Sequence, residues 1–295
     1  MNFKSLFFFL FFSVLNYNLF SQSRSLKINK KRALTVAVPL TVSLGACYWY
    51  VENSWWSGKK TKFHFDKGAD LVYALNVDKP AHFMGGLQAA DIFISSMQWS
   101  GVSTGEAVWY GAAFGAGLQL IIELKDGYAP SWGFSKWDLA AGTAGAIWPV
   151  AKFYNKNLEL FDFKFSYFKH SDRYLQLERQ RGKEKAKLAW IDDYPNQTYW
   201  LSLDINKFLE TEIWPSWLNI ALGFGLDDTQ FLNKNNTKLG GHNEWYLAFD
   251  YNIEKLFLKW DTPAMRKIKK WINYFHFPAP TIMISPRMKF YPLFI

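Results

Sequence analysis

Three short stretches set ionisable side chains among apolar and small ones: Asp78-Lys79-Pro80-Ala81-His82-Phe83, Glu123-Leu124-Lys125-Asp126-Gly127 and Ser135-Lys136-Trp137-Asp138. Buried charges are costly unless they are paired, ligate something or line a water-filled cavity, so their placement marks a candidate site. Asp78 and His82 are four residues apart. On a helix they share a face, a spacing that suits two metal ligands or an acid–base pair. Glu123 and Asp126 would stand in the last turn of a helix, where the macrodipole disfavours negative charge. Lys79, Lys125, a bound cation or the start of the next helix could offset them.

Two kinds of chemistry follow. In one, His82, Glu123 and Asp126 are catalytic, transferring protons or working with a divalent cation held by some of Asp78, His82, Glu123 and Asp126, while Lys79 neutralises an anionic group. In the other, Asp78, Lys79, His82, Glu123, Asp126 and Asp138 form a polar network that locks helices together and performs no reaction. Capping supports the second reading, because Asp78, Ser103 and Ser135 all stand where helix N-caps are expected. An Asp78 occupied by the amide of Ala81 would leave His82 to hydrogen-bond within the core. A capping role already explains Ser135, no histidine lies near it in sequence to activate it as a nucleophile, and no nucleophile elbow, phosphate loop or cysteine site is present.

The elements that must position these residues are legible from spacing. Residues 33–51 are uncharged and follow Lys30-Lys31-Arg32, giving either a membrane-inserted helix or a first buried helix bent at Pro39. A second helix is expected from Asp78 to about Gln98, with Pro80 tolerated in its first turn. The third begins at the capping box Ser103-Thr104-Gly105-Glu106 and stops at Gly127; the fourth opens at Ser135 and runs to about Lys152. Gly111, Ala112 and Gly115 on the third, and Ala141, Gly142 and Gly145 on the fourth, let these two helices approach closely.

Beyond residue 155 the period becomes two. Phe161, Phe163, Phe165 and Tyr167 share one face of a strand, with Asp162, Lys164 and Ser166 on the other. Similar runs cover 198–205, 217–226, 244–253, 281–285 and 288–295. Residues 179–187 form a charged connection and 227–241 a polar loop rich in Asn and Gly. Residues 263–275 predict a short basic amphipathic helix, with Met265, Ile268, Ile272 and Phe275 on one side, suited to a membrane surface or to the sheet edge. The fold class is therefore α+β: an N-terminal bundle of about four helices, open to membrane association, followed by antiparallel strands in a sheet or a small barrel. A small outer-membrane barrel with a helical insert is a competing architecture.

The N-terminus points outside the cytoplasm. Lys4, the apolar run to Leu15 and the small residue Ser21 have the layout of a cleaved signal peptide over residues 1–21. The expected division is 1–21 signal, 22–155 helical domain and 156–295 strand-rich region. Cys47 is the only cysteine, so no disulfide forms within the chain. Leu44-Gly45-Ala46-Cys47 imitates a lipoprotein processing site, but the aromatic Tyr48-Trp49-Tyr50 after it favours a packed helix residue. Aromatic residues make up 19% of the chain and the formal net charge is +9. That balance suits a membrane–water interface with anionic headgroups or other envelope lipid. Nucleic acid is excluded as a partner by secretion, and no protein partner can be read.

Asp78-Lys79-x-x-His82-Phe83, Glu123-Leu124-x-Asp126 after a glycine-rich helix, and Gly133-Phe134-Ser135-x-x-Asp138 leading into Ala141 and Gly145 resemble the YfiM-like predicted periplasmic lipoproteins, a family of unknown function. A fainter likeness is to VanZ-like membrane proteins. The resemblance covers about residues 70–150, and the strand-rich half looks like the extension of longer members from Bacteroidetes. Two positions depart from it: Ala81 where longer relatives have glycine, and Gly142 where they have asparagine. Loss of that amide removes a hydrogen-bond partner for the carboxylates. The resemblance implies a cell-envelope protein, in the periplasm or at the outer membrane of a Gram-negative bacterium, with no established chemistry.

Overall fold

The computed structural model describes residues 28–54, 56, 60–130, 132–181 and 191–295. The expected signal peptide, 1–21, lies outside the described residues, as does most of the charged connection at 179–187. Helices come first: α1 (Lys30–Ser54), the single turn α2 (Asp70–Tyr73), α3 (Asp78–Trp99), α4 (Thr104–Asp126) and α5 (Lys136–Tyr154). Strand β1 (Phe161–Tyr167), helix α6 (Arg173–Gln180), β2 (Gln197–Leu203), the turn α7 (Ile205–Phe208) and β3 (Leu218–Leu226) follow. The polar loop folds into a small hairpin, β4 (Phe231–Leu232) and β5 (Lys238–Leu239), before β6 (Asn243–Tyr251). The turn α8 (Ile253–Leu256), helix α9 (Pro263–Ile272), β7 (Ala279–Ser285) and β8 (Lys289–Phe294) complete the chain.

Helices α3, α4 and α5 form the helical body, and their small residues set its spacing. A Cβ at Gly145 would run into the backbone of Phe83, and one at Gly115 would lie 2.7 Å from the carbonyl oxygen of Gly86. The close approaches therefore run from α3 to both of its neighbours, as well as between α4 and α5. Helix α4 is long and apolar enough to cross a bilayer, and it packs against both α3 and α5 with Ala107, Val108 and Ala112 in the shared core. Helix α1 differs. It runs through Pro39, and Leu34, Val38 and Val42, spaced by four, are 65%, 61% and 66% exposed. This rules out a buried first helix, and Cys47 is exposed rather than packed. Both ends of α1 are tied down: at its start Asn29 N–H donates to Ser100 O at 2.9 Å and Arg32 lies over the Trp99 ring. At its end Lys125 pairs with Glu52, meets the Tyr48 hydroxyl at 3.2 Å and lies over the rings of Tyr48 and Trp56.

The strands form one antiparallel sheet in the order β1-β2-β3-β6-β7-β8. It curls until Phe165 of β1 meets Phe275, just before β7, through a single bridge, with Phe165 N–H donating to Tyr274 O and His276 N–H to Phe165 O, both at 2.9 Å. No continuous ladder closes the ring among the described residues, so the barrel alternative gives way to an open, curled sheet.

The inner face buries an apolar cluster, Trp200, Ala221, Tyr246, Ala248 and Met283, beside a polar one, Lys164, Ser202, Asp250 and His276. Asp250 accepts from Lys164 at 2.7 Å and Ser202 at 2.7 Å and meets His276 at 3.0 Å. Burial alone would raise the Asp250 carboxyl, but the His276 bond and the Lys164 charge hold it below its ordinary value. The outer face is apolar. Its first half, including Phe163, Phe165, Tyr199 and Phe224, packs under the helical body against Phe83, Met84 and Trp148.

Candidate functional site

The N-terminal ends of α3 and α5 meet the C-terminal end of α4, and this junction brings the three ionisable stretches together. Lys79 donates to Asp78 at 2.9 Å and to Asp138 at 2.6 Å, bridging α3 and α5. His82 Nδ1 lies 3.9 Å from Glu123 Oε1, and its Nε2 lies 3.9 Å from Asp138 Oδ1. Asp78, Glu123 and Asp138 are buried, while Lys79 and His82 are partly exposed.

Local capping explains part of this arrangement and corrects part of the expectation. Ser103 Oγ accepts from Glu106 N–H, and Ser135 Oγ accepts from Asp138 N–H at 3.2 Å. Asp78 does not cap α3. The N-cap position is Val77, whose backbone is already helical, and the carboxylate of Asp78 turns to Lys79 instead. At α5 the Ser135 N–H donates to Glu123 Oε2 at 2.9 Å, the place a reciprocal capping acid would take. This leaves the Asp138 carboxylate to Lys79. It also gives Glu123, at the negative end of α4, a donor from the positive end of α5.

Asp126 stands apart from the centre. Trp56 Nε1 donates to its Oδ1 at 2.6 Å, a partner invisible in the sequence because it lies 70 residues away. Lys125, one of the offsets considered, serves α1. The cation-ligand set therefore differs from the expected one. One atom each from His82, Glu123 and Asp138 lies within 4.8 Å of the others, whereas Asp78 and Asp126 are directed to Lys79 and Trp56. The mixed nitrogen and oxygen donors would suit a first-row divalent ion.

Gln119 is the participant that the sequence did not reveal. Its Oε1 lies 3.0 Å from His82 Nδ1. A Cβ at position 142 would lie 2.6 Å from the same oxygen, so Gln119 fills the space beside Gly142. The amide that the resemblance expects at 142 is supplied from α4. Its signal was a lone glutamine in a glycine-rich apolar helix, four residues before Glu123.

The electrostatics follow from the count of groups: four carboxyls, one lysine and one imidazole. Burial, with Asp138 and Asp126 nearby, pushes Glu123 up to about 9. Burial and Asp138 raise Asp78 to about 6 against the opposing pull of Lys79. Burial raises Asp126 to about 7, although the Trp56 N–H and His82 favour its charged form. Tyr73 and Tyr194, buried where the helical body meets the sheet, are driven far up by burial, and Asp78 adds to the effect on each. Glu123 Oε1 and Asp78 Oδ1 are buried with no hydrogen-bond partner among the described residues. A protonated Glu123 is consistent with that orphaned oxygen.

No curated protein and no solved structure matches the chain. The family comparison bears on the helical body, and it supports the periplasmic-lipoprotein resemblance without extending to VanZ-like proteins. Residues 65–155, which contain α3, α4 and α5 and nearly all of the cluster, match the family described as predicted periplasmic lipoprotein (DUF2279), in agreement with an extracytoplasmic location in a Gram-negative bacterium.

Proposed function

We propose that this is a non-catalytic envelope protein held at a membrane, in which the ionisable cluster locks the helical body. One observation carries the reading: apart from Lys79–Asp78 and the Ser135–Asp138 cap, the close polar contacts of the cluster join separate segments. Lys79 reaches Asp138 from α3 to α5, His82 meets Gln119 from α3 to α4, Ser135 N–H reaches Glu123 from the start of α5 to α4, and Trp56 reaches Asp126 from outside the bundle. The exposed apolar length of α1, following Lys30-Lys31-Arg32, supports membrane attachment. Replacing Glu123 or Asp138 by Ala should destabilise the fold by about 1–3 kcal/mol or more, as expected when a buried polar network is broken. Thermal melting checks this, and unchanged melting in both variants would refute it.

A second reading is favoured by the spacing of His82, Glu123 and Asp138: a metal-assisted or acid–base hydrolase acting on lipid or cell-wall material. Metal analysis of protein purified without chelator separates the two. Stoichiometric cation lost in the His82→Ala variant would support this reading, and metal-free protein with full stability would remove its metal form.

A further inference from the structure

We propose that the uncovered half of the sheet's outer face, centred on Leu222, Leu247 and Ile282, lies against a lipid leaflet at the boundary between headgroups and acyl chains. The proposal goes beyond the reading above and does not rest on the cluster.

Register places these three side chains in one row across β3, β6 and β7, where Leu222 pairs with Leu247 and Leu247 with Ile282. They are 41%, 44% and 40% exposed, although the same face is core where the helical body covers it. Scattered exposed apolar residues are ordinary, but a row continuous with a core is not. No charged side chain points outward from β3, β6 or β7, because Glu244 and Asp250 both face inward. An apolar outward band without charges is the surface that strands present to lipid.

The ends of the row specify lipid further. On one side Trp245 packs at a tilt against Phe224, and on the other Phe249 leads to Trp217 stacked on Tyr251. Aromatic rings with a polar tip favour the membrane–water boundary. The β2–β3 and β6–β7 connections leave from the Trp217 end, and α9 belongs to the second of them. Its expected apolar side is turned outward. Ile268, Ile272 and Phe275 are exposed, because Lys269 is drawn inward to the carbonyls of Glu254 and Phe257 at 3.2 and 3.1 Å. Lys267 beside them supplies charge complementary to anionic headgroups, while Arg266 pairs with Asp261 at 3.1 Å. The opposite end of the sheet carries the Asn-rich loop with β4 and β5, which suits water. A position at the boundary, rather than across the bilayer, follows from the open β8 edge, whose backbone groups need water or a partner.

The test uses the full chain with Cys47→Ser, which removes the only thiol, and either Leu247→Cys or Asn235→Cys labelled with the fluorophore NBD. The labelled proteins are reconstituted into phosphatidylethanolamine vesicles containing phosphatidylglycerol, with circular dichroism as the check of folding. The probe at 247 should shift to the blue and be quenched by doxyl-labelled lipid but not by iodide, and the probe at 235 should behave oppositely. Iodide quenching at 247 equal to that at 235, with no effect of doxyl lipid, overturns the proposal. A blue shift without vesicles, accompanied by disulfide crosslinking between two copies of the unlabelled Leu247→Cys protein, also overturns it and assigns the face to a second molecule.

Discussion

Gln119 shows how one residue can carry a function displaced from its expected position. Its amide reaches His82 and fills the space beside Gly142, so the two positions are coupled through volume as well as through a hydrogen bond. Gly142→Asn alone should destabilise the protein by about 1–3 kcal/mol through overpacking. In a Gln119→Ala background most of that cost should disappear, and a double-mutant cycle by urea unfolding measures the coupling. Additive effects would deny that the two side chains share one site. The motifs made Lys79, His82, Glu123 and Asp138 legible because each is an ionisable group in an apolar run. Gln119 and Trp56 were not legible, since their roles depend on how helices distant in sequence come to rest.

Among the elements, the tight junction of α3 with its neighbours is the most restrictive feature. Gly145 stands against the backbone of Phe83, which cannot move aside as a side-chain tip can. Gly145→Val should therefore lower stability by about 1–3 kcal/mol or more and weaken the cluster by separating α3 from α5. Melting, with His82 Nε2 chemical shifts as a local readout, would show both effects together. Strand β1 was readable to the residue because its alternation is regular, and Ser103 and Ser135 begin their helices where the spacing required. What alternation does not encode is which face is covered. Phe163, Phe165 and Tyr199 of β1 and β2 pack against the helical body, whereas Leu247 of β6 and Ile282 of β7 stay exposed, and the difference lies in the three-dimensional path of the chain. Helix α9 makes the same point: Lys269 faces inward because two carbonyls of the preceding segment await it.

At the scale of the molecule, the proposed function assigns attachment to α1 and rigidity to the cluster, two properties that can be tested separately. Introducing Asp at Val38 and Val42 should lower the share of the full chain in the membrane pellet without changing the melting of the helical body, because both residues are exposed. An undiminished share in the pellet would assign attachment to the sheet face alone. Rigidity is tied to protons. The ordinary value for Glu123 is 4.5, and burial raises it to about 9 in the folded chain. Between those values the folded state holds a proton that the unfolded state releases, so stability falls as pH rises, by at most about 1.4 kcal/mol per unit from this group. Asp126 at about 7 and Asp78 at about 6 add to the slope at lower pH. Urea unfolding of the parent chain and of Glu123→Gln, with chelator present, from about pH 5 to about pH 9 tests the central claim most directly. The parent should lose stability steadily with rising pH and Glu123→Gln should be markedly flatter; equal slopes, with equal midpoints at every pH, would contradict a buried, protonated Glu123 at the junction of the three helices.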